Sequence, residues 1–80
     1  MSSRWVITVN KRYLEALYRL PRGTAGEVTD AVETLQNDQT PAQAEAVEGR
    51  ANTYRLTIAD HLVEYEVVSE KRIIKLLSIT

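Results

Sequence analysis

Three charged residues near the C-terminal end of the chain, Arg55, Glu64 and Glu66, have the spacing of a working group. In Tyr54-Arg55-Leu56-Thr57-Ile58 and Leu62-Val63-Glu64-Tyr65-Glu66-Val67 the apolar residues alternate with polar ones, which is the period of a half-buried strand. That period sets Arg55, Thr57, Leu62, Glu64 and Glu66 on one outward face. Carboxylates two apart on a strand face have Cβ atoms ~7 Å apart. As an acid/base pair Glu64 and Glu66 have nothing to build a pocket around them, so a cross-strand ion pair of Arg55 with Glu64 or Glu66 is the simpler use of these charges. His61 is the only histidine and there is no cysteine, so neither a disulfide nor a thiolate metal site is available. No cofactor and no metal site is expected.

A second group is basic. Lys11 and Arg12 open an amphipathic segment that has Arg19 and Arg22 at its far end, and Arg50 lies further along. Lys11, Arg12 and Arg50 are the candidate RNA-binding residues, through contacts to phosphate. The competing reading makes Lys11, Arg12, Glu15 and Arg19 the solvated side of a helix, and it is favoured here. Tyr13 and Tyr18 read as packing residues rather than as platforms for stacked bases.

The elements that must carry these groups follow from pattern. Arg4 to Val9 reads as a strand, with Trp5, Ile7 and Val9 on one face. Asn10 stands at an N-cap before a helix from Lys11 to Leu20, and Pro21 stops it, because the residue before a proline leaves the α region. Thr24-Ala25-Gly26-Glu27 has capping-box form and opens a second helix with Val28, Ala31, Val32 and Leu35 on its apolar face. That helix fades near Asn37-Asp38. Residues 39–46, with Pro41, read as a loop that ends in a short extended piece before Gly49. Two strands joined tightly at Ala59-Asp60 follow, then a turn at Ser69-Glu70-Lys71 and a last strand from Arg72 to Ile79. The last strand is apolar on both faces, so it should be central in the sheet.

The expected fold is α+β in the order β-α-α-β-β-β. Two N-terminal helices pack on one face of a small, mostly antiparallel four-stranded sheet. Residues 1–80 make one domain. A net charge of −1 lacks the basic excess of a dedicated nucleic-acid binder. No apolar run reaches the ~20 residues of a membrane span, and Met-Ser-Ser-Arg leads into a strand with no apolar signal core. A cytoplasmic location without membrane contact is therefore expected.

From Tyr54 to Val67 the chain resembles the RelE/ParE superfamily of toxins from type II toxin–antitoxin systems. Those proteins carry a Tyr-Arg-Leu-x-Ile strand, a Gly-Asp turn and a Tyr-Arg-Val-x-Tyr-Glu strand. Val47-Glu48-Gly49 stands where they have a Leu-x-Gly element. The resemblance implies a RelE-like fold, a cognate antitoxin as partner, and one of two activities. RelE-like members cleave mRNA at the ribosome without metal, through arginines and lysines, and so inhibit translation; ParE-like members inhibit gyrase. Of the RelE-like active set, Arg55 matches one basic position. Thr57 stands at the second and Leu62 at the arginine of the next strand, with His61 in place of the preceding aromatic. The remaining positions would follow Thr80. Arg55 and His61 are the catalytic candidates, Arg55 as a phosphate contact and His61 as a substitute general base; a turn or rim position is the plainer use of His61. Two carboxylates on the same face would repel a phosphate chain by about 1 kcal/mol each near a surface, which weighs against cleavage. The alternative function is a non-enzymatic interaction module of this fold, whose sheet edge or helix face binds a partner or a second copy of itself.

Overall fold

A computed structural model describes residues 4–80, so the N-terminal reading that rested on residues 1–3 lies outside the described residues. The elements are β1 (Val6–Val9), α1 (Lys11–Arg19), α2 (Arg22–Glu33) with a 3-10 turn at Thr34–Gln36, β2 (Glu45–Ala46), β3 (Thr53–Ile58), β4 (His61–Val68) and β5 (Ile73–Ile79). The expected α+β order holds, with one addition. The sheet has five strands in the order β1-β5-β4-β3-β2, because Glu45–Ala46 pairs antiparallel with β3. Two residues are too few to show a strand period, so sequence pattern alone gave a short extended piece there.

Asn10 caps α1 as its position implies: its side chain accepts the backbone N–H of Tyr13 at 2.8 Å. Leu20, before Pro21, is extended (φ −76°, ψ 149°) and closes the helix. The start of α2 departs from expectation. It begins at Arg22, with Pro21 before it and no side-chain cap, and the Ala25 N–H donates to the Pro21 carbonyl at 2.8 Å. Thr24 therefore sits within the first turn and no capping box forms. Pro21, with φ −55° and an extended ψ of 149°, stands at the N-cap, and the helix starts three residues earlier than a Thr24 cap would place it.

The final three strands are the antiparallel meander that the alternation implies, and β1 joins β5 in parallel, Val6 beside Ile73 through Val9 beside Leu76. That parallel step is right for a strand returning through α1 and α2. β5 lies inside the sheet, as its two apolar faces require. Its buried positions run Ile74, Leu76, then Ile79, and the change of phase coincides with a register shift against Glu64 and Tyr65. Ala59 (φ 50°) and Asp60 (φ 67°) form a two-residue hairpin turn in the left-handed region. An alanine there costs on the order of 1 kcal/mol.

The core lies between the helices and one sheet face. Tyr13, Val28, Val32 and Leu35 descend from the helices onto Leu56, Val63, Tyr65, Val67, Ile74, Leu76 and Ile79. The Tyr65 ring stacks on Tyr54 at 5.8 Å, and its hydroxyl donates to the Gln39 carbonyl at 2.8 Å. Burial, reinforced by Tyr54 and then Asp38, pushes the Tyr65 phenol up to about 12. Tyr13 is raised by burial alone. No helix is long and apolar enough to cross a membrane among the described residues.

Candidate functional site

Strand pairing fixes the outward face of the sheet row by row, since residues opposite one another share a face. One row runs Glu45, Arg55, Glu64, Ser78 across β2, β3, β4 and β5. The next runs Thr53, Glu66, Lys75, Thr8 across β3, β4, β5 and β1. Thr57 and Leu62 make a further pair. Arg55 thus stands directly between two carboxylates, with Cβ separations of ~5 Å expected on either side.

The expected ion pair of Arg55 with Glu64 or Glu66 does not form. Glu64 is taken instead by Arg50, whose Nη1 lies 3.0 Å from Glu64 Oε1. Arg50 reaches it from the connection between β2 and β3, which bends back at Gly49 (φ 81°), a left-handed position that suits glycine. Of the three candidate RNA contacts, Arg50 is thereby committed to a carboxylate, although at an exposed pair such as this the bond is weak. Arg55 makes no ion pair among the described residues.

His61 falls on the other side. It pairs with Ile58 and shares the parity of Val63 and Tyr65, the core face, at the rim of the β3–β4 hairpin. The two catalytic candidates therefore do not share a face, and His61 is no base for chemistry at Arg55. The signal was present in β4 itself, where His61 is two residues from Val63. Among the described residues no group of three His, Cys, Asp or Glu side chains is placed to hold a metal ion.

The helix side differs. Lys11 and Arg12 lie on the exposed arc of α1 with Glu15, Tyr18 and Arg19, while Tyr13 is buried, 2% exposed, and Leu14, Ala16 and Leu17 are half-buried. Tyr18 is not a packing residue. It is 81% exposed. The helical period already told these two tyrosines apart, because residues five apart lie ~140° apart around a helix.

Between α1, α2 and the core side of β1 lies an apolar groove of ≈ 540 Å³, with Trp5, Ile7, Val9, Leu14, Leu17 and Val32 in its walls. It opens beside the free edge of β1, which among the described residues pairs only with β5. Val6, 57% exposed, and Val9 extend this apolar surface.

Neither a protein-family profile nor a curated protein sequence matches this chain. Solved structures do. A chain of the archaeal RelE–RelB complex from Pyrococcus horikoshii is 22% identical and superposes with a TM-score of 0.85, covering 95% of this chain and 92% of that one. A chain of the intact E. coli RelBE toxin–antitoxin complex is 14% identical with a TM-score of 0.82, over 94% of this chain and 93% of that one. A mutant of the E. coli toxin RelE in the free state is 13% identical, also at 0.82, over 96% of this chain and 82% of that one. The fold of this chain is RelE-like.

Proposed function

We propose that this chain is the toxin-like member of a cytoplasmic type II toxin–antitoxin pair, that it works by binding a cognate antitoxin, and that its catalytic face is depleted. The observation that carries this reading is the open apolar groove beside the bare edge of β1, on a fold shared with chains crystallised in RelE–RelB complexes. An unpaired strand edge presents a row of backbone donors and acceptors, and a partner segment can pair with it while setting apolar side chains into the adjoining groove. The structures named above are of RelE proteins and their antitoxin complexes, which supports a ribosome-directed ancestry over a gyrase-directed one.

Cleavage of ribosome-bound mRNA is the activity that this ancestry brings, and the outward sheet face argues against its survival. Metal-free cleavage needs several cationic donors around the reacting phosphate. Arg55 stands between Glu45 and Glu64, while Thr57 and Leu62 bring no charge. The same row favours the second reading, a non-enzymatic interaction module of this fold.

The test is co-expression with whatever short open reading frame adjoins the gene. Co-purification of its product, lost on Val6→Glu with Val9→Glu, is the expected result. Expression of the chain alone should leave ribosome-bound mRNA intact, and Arg55→Ala should change nothing in growth. Failure of any neighbouring product to bind, or growth arrest that Arg55→Ala relieves, would overturn the reading.

A further inference from the structure

The two edges of the sheet differ in how they meet solvent. At one edge β2 is two residues long and carries Glu45, so little of it can recruit another strand. At the other, β1 is bare. From Trp5 to Val9 there is no charge, no proline and no glycine, and the pairing with β5 runs without a bulge. Val6 and Val9 are exposed on it. The Val6 and Asn10 N–H groups donate to the Arg72 and Leu76 carbonyls at 2.9 and 3.3 Å, so the even-numbered residues turn their backbone groups towards β5. Trp5, Ile7 and Val9 therefore turn theirs outward. The Trp5 carbonyl accepts the Gln36 side-chain amide at 3.3 Å, and among the described residues no strand lies beyond Ile7 and Val9.

We propose that this edge is the two-fold interface of a homodimer of the free chain, with β1 pairing antiparallel to β1 of a second copy. Symmetry fixes the register. The outward backbone groups lie on odd residues, and a two-fold axis at Ile7 alone pairs the whole of Trp5 to Val9. Trp5 then meets Val9, and Val6 meets Thr8, of the second copy. An axis at Val6 or Thr8 would leave the ends unpaired. Helix-side residues stay with helix-side residues, so each Trp5 comes opposite a Val9 at the mouth of the apolar groove. A strand of this length spans ~17 Å. With the groove mouth beside it, the contact covers on the order of 500 Å² per copy, below the ~800 Å² of a standard interface. The dimer is accordingly weak, with a Kd on the order of 10–100 µM. A weak contact suits an edge that another strand can claim: the copy masks it while the chain is alone, and antitoxin displaces the copy. That displacement rests on the functional reading above, whereas the dimer rests on β1.

The chain has no cysteine, so introduced thiols report on this register alone. Val6 and Thr8 of opposite copies form a non-hydrogen-bonded pair with Cα atoms ~4.5 Å apart, within reach of a disulfide. Val6 to Val6 and Thr8 to Thr8 are diagonal neighbours at ~7–8 Å, which is too far. Both positions are exposed, so neither exchange disturbs the core. A mixture of Val6→Cys and Thr8→Cys chains, oxidised in air near the expected Kd, should form a linked dimer at least ten-fold faster than either variant alone. The unaltered chain should sediment as a dimer that dissociates on dilution, and emission from Trp5, the single tryptophan, should move to longer wavelength as it does. Val9→Pro removes an outward N–H and leaves the β5 ladder intact, so it should raise the Kd at least ten-fold with the circular dichroism of the monomer unchanged. Equal crosslinking in all three thiol samples, or a chain that stays monomeric well above the expected Kd, would overturn the proposal. Crosslinking by a chain that finds no antitoxin sinks the functional reading and upholds the dimer. A chain that binds its antitoxin but never self-associates does the reverse.

Discussion

The outward face of the sheet and the outward arc of α1 hold similar residue types but arrange them differently. On the sheet, cation and carboxylate alternate across strands: Glu45, Arg55 and Glu64 in one row, Glu66 and Lys75 in the next, with Arg50 closing on Glu64. On α1 three exposed cations, Lys11, Arg12 and Arg19, share one arc with a single carboxylate, Glu15. A row of alternating signs has almost no field a few ångströms out, whereas clustered charges of one sign add. The lesson is that total charge says little about which surface a polyanion meets. Position decides it.

The strongest way to break this contrast is to reverse the charge on α1. Arg12→Glu with Arg19→Glu should lower affinity for a polyanion probe such as heparin about 100-fold or more, taking each lost contact and each new repulsion as about 1 kcal/mol at a surface. A titration that shows less than a three-fold loss would place the binding elsewhere.

The layer that separates the two surfaces can be tested through Tyr65. Its phenol ionises near 10 when unfolded and is held at about 12 in the fold. The folded state therefore keeps a proton that the unfolded state releases. This contribution is complete below pH 10 and is lost as pH rises through 12, on the order of 2 kcal/mol. Tyr65→Phe should cost about 1 kcal/mol at neutral pH, through the hydrogen bond to Gln39, and should flatten the alkaline loss in denaturant titrations.

Adding cations to the sheet would sharpen the contrast from the other side. Thr57→Lys with Leu62→Arg places two new charges on adjacent strands beside Arg55. About a ten-fold gain in heparin affinity is expected at low salt, and no gain would show that Glu45 and Glu64 still dominate. The smallest effect belongs to Arg50→Ala. An exposed pair is worth under about 1 kcal/mol, so thermal denaturation should shift by only a few degrees.

Much of this molecule was legible in local pattern. Two-residue alternation gave both faces of β3 and β4, helical spacing gave Val28, Val32 and Leu35 as core, and Asn10 and Pro21 marked the two ends of α1. These features depend on neighbours within a turn or a strand, so the chain states them directly. Parity also held His61 to the core side and spacing held Tyr18 away from Tyr13, although both signals are easy to overlook. What the tertiary structure alone decided involves partners far apart in the chain. The parallel step of β1 onto β5, the two-residue strand β2, and the capture of Glu64 by Arg50 rather than Arg55 all depend on where a loop returns. A side chain's partner is set by distance in space, and in a chain that folds back on itself sequence period carries no record of that distance.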